Sequence, residues 1–292
     1  MFAINTSALF GQLLVGLING SFYALLSLGL AVIFGLLNII NFAHGALFMM
    51  GAFCAYFLLN LAGVGYWGAL VLTPVIVGAF GIFLERTMLH RLANLDHLYG
   101  LLLTFGLALI IQGLFQNYFG SSGLPYAIPP ELTGAQNLGF MFLPNYRAWV
   151  VVLSAIVCFA TWFAIEKTSL GALLRAATEN PALVRAFGVN VPRMITLAYG
   201  FGVGLAGLAG VLAAPINQVR PLMGADLIIV VFAVVVIGGM GSILGSIVTG
   251  FALGVIEGLT KYIYPEASNT VVFVVMALVL MVKPAGLFGR AS

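Results

Sequence analysis

Six stretches of this chain contain no Asp, Glu, Lys or Arg: residues 1–84, 98–130, 148–165, 194–219, 227–256 and 267–282. A charge at the centre of a membrane helix costs about 2.5–3.5 kcal/mol on insertion scales, so such runs mark segments made for lipid. A soluble domain spends about a quarter of its residues on these four types, whereas this chain spends 7%, with 62% hydrophobic residues and a mean hydropathy of +1.16. A water-soluble globular protein is excluded. The net charge is +3, with no basic run dense enough to follow a phosphate backbone, so a nucleic-acid partner is excluded as well.

A span needs about 20 apolar residues to cross roughly 30 Å of hydrocarbon. Breaks at Asn38 to Asn41 and at Asn60 to Gly65 divide the first stretch into helices near 11–35, 42–61 and 66–85. Further spans fall near 98–119, 147–165 and 194–214. Residues 226–238 run into Gly238, Gly239, Met240, Gly241 and Ser242, and a helix of that length reaches only about 20 Å. A half-helix, a break and a new helix over 243–263 are therefore expected, in place of one over-long helix with glycines at its centre. The last segment covers 269–283. The expected fold is an all-α polytopic membrane protein, a single transmembrane domain over 1–292, with eight to nine segments and a broken or re-entrant half-helix near 226–242.

Lys and Arg favour the cytoplasmic side. Nine segments put Arg86, Arg91, Lys167, Arg175, Arg185, Arg193, Lys283 and Arg290 inside, leaving Arg147, Arg220 and Lys261 outside. The N-terminus then faces out, and with no Lys or Arg before its apolar run it does not read as a secretory signal. Cys54 and Cys158 lie within apolar spans and read as small buried thiols.

Intrinsic ATP chemistry is not expected. A phosphate-cradling loop needs Gly directly before Lys, but Lys167 follows Glu166, Lys261 follows Thr260 and Lys283 follows Val282. No nucleophile-elbow pattern is present either. Transport remains, and the inside loop 166–193 is its most informative part. Leu174, Ala177, Leu183, Val184 and Phe187 recur there at helical spacing, and Asn180 followed by Pro181 suits a helix start, with Asn as cap and Pro in the first turn. A short amphipathic helix beneath the membrane fits a groove in a soluble partner or rests on lipid.

Gly171, Arg175, Ala176, Asn180, Pro181, Gly188 and Asn190 resemble, in order and spacing, the cytoplasmic loop of LivH-type permeases, the membrane subunits of branched-chain amino acid ABC importers. Asn19 to Tyr23 and Ile40 to Gly45 resemble that family's opening helices, Ala233 to Gly245 its glycine-rich break, and Lys283 to Arg290 its tail. The resemblance spans nearly the whole chain. It implies an importer in the bacterial inner membrane. Its partners are a second, LivM-like permease or a second copy of this chain, two ABC ATPases carrying ATP and Mg, and a periplasmic binding protein. It makes 166–193 the coupling loop, with Arg175, Glu179, Asn180, Arg185 and Gly188 as candidate contacts to the ATPases. No cofactor is expected in this chain.

The translocation path is read from the breaks, because half-helix N-termini at the membrane midplane can meet a substrate carboxylate without a buried charge. Asn41, as a cap of the second helix, and His44 form one candidate; Gly238, Gly239, Gly241 and Ser242 form the other. A plainer role stands beside each: His44 as a buried imidazole bonded to backbone, the glycines as close helix contacts. Glu257 is expected to pair with Lys261 four residues on, and Tyr66, Trp67, Tyr146, Trp149 and Tyr264 to sit in interfacial aromatic belts. Permeases of this architecture for urea or short amides are an alternative. An ion-coupled carrier or channel, which commonly places ionisable groups within the membrane, has only His44 and Glu257 to draw on.

Overall fold

The computed structural model describes residues 5–37, 40–92 and 95–289. Asn38 and Arg290, which figured in the expected first break and in the inside charge set, lie outside the described residues. Eleven helices carry the fold: α1 (Thr6–Leu37), α2 (Ala43–Ala62), α3 (Tyr66–Leu84), α4 (His97–Phe119), α5 (Asn145–Lys167), α6 (Ser169–Glu179), α7 (Pro181–Ala186), α8 (Val191–Asn217), α9 (Ala225–Gly238), α10 (Ile243–Ile263) and α11 (Val271–Val282). Beyond α3 a π-turn, Glu85–Leu89, leads into one more turn, His90–Leu92. Seven of the described helices are long and apolar enough to cross a membrane, while α9 and α11 are apolar but shorter. These nine occupy the places the charge-free stretches mark. The loop between α4 and α5 folds into a small antiparallel hairpin of β1 (Ala135–Asn137) and β2 (Phe142–Pro144).

The bundle is built around α1 and α8, the two most buried long helices. Lipid offers no hydrophobic drive for helices to associate, so small residues that let backbones touch must hold them. On α10, Gly250, Gly254 and Gly258 repeat every four residues and face Ala24, Gly20 with Gly16, and Gln12 on α1. A Cβ at Gly254 would overlap the Gly20 backbone and the Gly16 carbonyl. Ser27 Oγ adds a hydrogen bond of 3.2 Å to the Ser246 carbonyl across the same pair. Gly200, Gly204 and Gly207 of α8 do the corresponding work against Pro74, Val77 and Gly78 of α3, and Gly210 against Phe48 and Ala52 of α2.

Two helices begin inside the bundle. His44, in the first turn of α2, reaches the Leu26 carbonyl and packs on Gly29 of α1, and Gly29 lies eight residues, about 12 Å of helix, before the end of α1. Gly45 in turn packs against Gly224, directly ahead of α9. The N-termini of α2 and α9 therefore lie side by side at mid-depth, and α9 runs from there to the end of the bundle that holds the loop 166–193.

At that end α9 stops. Gly239 and Gly241 take φ of 101° and 83°, a left-handed range that only glycine enters cheaply, and Ser242 caps α10 by accepting from the Gly245 N–H at 3.1 Å. The carbonyls orphaned at the end of α9 are met by the tail: Leu287 N–H donates to Ile237 O at 2.8 Å and Phe288 N–H to Gly238 O at 3.1 Å. Helix ends need such partners when they are buried. The glycine-rich break and the Lys283–Gly289 tail are thus one structure, with Gly286 and Gly289 packed on Gly239. This corrects the placement of Gly238, Gly239, Gly241 and Ser242 at the midplane: the second mid-depth helix start is at Ala225, and the glycine break sits at the end of the bundle.

Candidate functional site

The predicted coupling residues fold as two short helices joined at Asn180. The Asn180 side chain accepts from the Leu183 N–H at 3.0 Å, and Pro181 takes the first helical position, as their residue types predict. Asn190 caps α8 in the same way through the Arg193 N–H. Ala177, Val184 and Val191 form a small core under the loop, while Leu183 and Phe187 stand 55% and 79% exposed. The amphipathic reading holds for Ala177 and Val184 and divides at Leu183 and Phe187, which offer apolar surface outward.

Arg175 turns inward to the end of α5. Its Nη1 donates to the Ile165 carbonyl at 2.7 Å and lies 3.5 Å from Glu166 Oε2. A cavity of about 70 Å³ beside it is lined by Gly35, Glu166, Leu174, Arg175, Thr178 and Gly241. Helix α6 and the glycine break, far apart in sequence, therefore adjoin. Glu179 and Arg185 are exposed, and Gly188 turns the chain at φ 82°.

Asn41 does not cap α2: the N-cap is Phe42, without a side-chain bond. The Asn41 amide instead donates to Tyr199 Oη on α8 at 3.0 Å. His44 is fully buried, with Nε2 at 3.0 Å from the Leu26 carbonyl. Asn41 Oδ1 and His44 Nδ1 are buried without a partner among the described residues. Both candidates lie at the mid-depth junction of α2 and α9, packed into the fold.

A polar cavity faces the other end. A cavity of about 250 Å³ is lined by Val15, Ile18, Asn19, Phe22 and Tyr23 of α1, Arg147 of α5, Ile216 and Asn217 of α8, and Leu227 in the first turn of α9. Behind its wall stands Glu257 of α10, which accepts from Tyr23 Oη at 2.7 Å and from Asn19 Nδ2 at 3.4 Å. The expected Glu257–Lys261 pair does not form among the described residues: Glu257 points into the bundle, where two donors from α1 meet it. Arg220 and Asp226 pair at 2.9 Å ahead of α9.

Above this cavity the predicted aromatic belt is partly an internal cluster. Tyr146 and Tyr66 are buried; Tyr146 Oη donates to the Leu212 carbonyl at 3.0 Å and Trp149 Nε1 to Tyr66 Oη at 3.1 Å. Three helices, α3, α5 and α8, are tied together there because a buried phenol or indole needs a polar partner. Trp67 and Tyr264 do stand exposed. In the loop between α4 and α5, burial and then the neighbouring Tyr66 push the Tyr126 phenol up to about 12.

A bundle of this kind, with two helices starting at mid-depth, a polar cavity at one end and a two-helix loop at the other, defines a multi-pass membrane permease. Residues 12–282 match the family model described as the permease component of branched-chain amino acid transport systems, and the chain belongs to that family. It is 29% identical to the high-affinity branched-chain amino acid transport permease LivH of Escherichia coli K12, over 96% of this chain and 95% of that one. It is 28% identical to BraD of Pseudomonas aeruginosa, over 96% of this chain and 95% of that one. LivM of E. coli K12 also matches, at 26% identity over 91% of this chain and 67% of its own length.

Proposed function

We propose that this chain is the membrane-spanning subunit of an ATP-driven importer for branched-chain or similar apolar amino acids, in the bacterial inner membrane. A LivM-like permease or a second copy of the chain completes the path. A periplasmic binding protein delivers the solute, and two ABC ATPases on the inner side carry ATP and Mg. The reading rests first on the family match across 12–282. The observation that carries the coupling part is the α6–α7 loop, held to α5 by Arg175 and presenting exposed Leu183 and Phe187. Apolar side chains on a short helix are what a groove in a soluble partner takes up. Solute and ATPase therefore engage opposite ends of one bundle, joined by α1, α9 and α10.

The coupling part is tested with Phe187→Asp in the assembled transporter. A charge in that contact should abolish the rise in ATP hydrolysis that loaded binding protein produces, while the membrane subunits still purify as a monodisperse pair. An unchanged rise would remove α7 from the ATPase contact.

A further inference from the structure

The outer cavity carries charge chemistry that the helix count and the family match leave unassigned. Its one ionised lining residue is Arg147, which is half-buried and has no ion-pair or hydrogen-bond partner among the described residues. A guanidinium held in such a place is a ready bidentate site for a carboxylate. Asn217 lines the same cavity and adds an amide donor.

The part of the lining that α1 supplies is arranged the other way. Glu257 accepts from the Tyr23 hydroxyl and from the Asn19 amide nitrogen. Tyr23 has only one proton to give, so its oxygen is left with lone pairs alone. Asn19, with one N–H given to Glu257, keeps its carbonyl oxygen as an acceptor and one further N–H. One half-buried carboxylate thereby orients two neutral side chains, each with an acceptor oxygen still to offer, and adds a carboxylate beside them. Ile18, Phe22 and Leu227 supply apolar surface to the same cavity. Small-molecule sites combine apolar surface with a few placed polar groups, and this cavity holds both in similar measure. The volume of about 250 Å³ falls just below the roughly 300–1,000 Å³ typical of drug-sized ligands.

We infer that this cavity is a binding site for the zwitterionic head of an amino acid. Arg147 and Asn217 take the carboxylate, Asn19 and Tyr23 take the ammonium, and the side chain lies against Ile18, Phe22 and Leu227. Glu257 is a positioning residue that acts through Asn19 and Tyr23. The inference rests on the amino-acid reading above, and it adds the place in this chain where the solute is first held. It also explains why an acid is kept in α10, where lipid or packing alone would favour an apolar residue.

The test uses the complete transporter in proteoliposomes, with its binding protein and ATP, and compares wild type, Arg147→Gln, Arg147→Lys and Glu257→Gln. Uptake of leucine and the ATPase response to loaded binding protein are measured side by side. Arg147→Gln should lower uptake about tenfold or more, the loss expected for one hydrogen bond to a charged group. Arg147→Lys should recover part of it, and Glu257→Gln should raise KM with the ATPase response retained. Uptake at the wild-type rate by Arg147→Gln would overturn the site, and so would loss of the ATPase response together with uptake, which would place Arg147 in docking instead. A wild-type transporter that takes up no leucine would strike the amino-acid reading itself, a result distinguishable from failure of the site.

Discussion

Replacing Gly254 by alanine puts one methyl group where the Gly20 backbone and the Gly16 carbonyl already lie. No rotamer relieves the overlap, because the obstructing atoms are backbone, so α1 and α10 must separate. A gap of about 0.5–1 Å forfeits roughly a quarter to a half of each dispersion well. With about 40 atom pairs across the contact at about 0.15 kcal/mol each, roughly 6 kcal/mol is at stake and about 1.5–3 kcal/mol is lost. Overpacked cores lose a similar amount, typically about 1–3 kcal/mol. Alanine returns about 1 kcal/mol of helix propensity at most, leaving a net loss of at least about 0.5–2 kcal/mol. The control is Gly113→Ala on α4, where an added Cβ meets nothing within 4 Å and only the propensity gain remains. The assay is the temperature at which detergent-purified protein ceases to be monodisperse. Gly254→Ala should fall several degrees below wild type, and Gly113→Ala should equal or exceed it. Equal temperatures for the two variants would refute glycine contact as the force that holds α1 to α10.

At the inner end, Arg175→Glu sets a second carboxylate beside Glu166 and removes the donor to the Ile165 carbonyl, freeing α6 from α5. ATP hydrolysis should continue while uptake falls at least about tenfold, a split that parallel assays of the two rates would reveal. Gly239→Leu forces a branched side chain into a φ of 101° and into the Gly289 and Phe288 backbone. Such strain costs about 1–3 kcal/mol before the overlap is counted, so the tail should undock, which limited proteolysis of the C-terminus would detect.

Much of this architecture was legible because its causes are local or repeated. Charge avoidance marked all nine apolar helices, since the cost of a buried charge acts at every position of a span. The cap at Asn180 was legible because a cap reaches only three residues. What the sequence hid lies in partners chosen over long separations. Lys261 is four residues from Glu257, yet Asn19 and Tyr23, 238 and 234 residues away, hold that carboxylate. An exposed i,i+4 pair is worth only a few tenths of a kcal/mol, less than two donors inside the bundle. Asn41 read as a cap because it precedes a helix, but Tyr199 offers a buried phenol. Tyr66 and Tyr146 read as belt residues because aromatics collect at interfaces, and their hydroxyls found partners within the fold. Two glycine motifs near the end of the chain read as separate signals, and only the folded tail shows that one closes the other. Arg147 drew no attention as a site because a lone outer-side arginine has no local pattern.

The central claim, that this chain carries an amino acid across the membrane only when ATPases on its inner face are running, is tested most directly by leucine uptake into proteoliposomes. The vesicles hold either this chain alone or the chain with its second permease and ATPases, with binding protein and ATP supplied. Accumulation should appear only in the complete, ATP-supplied vesicles. Accumulation by the chain alone, driven by an ion gradient, would contradict the claim.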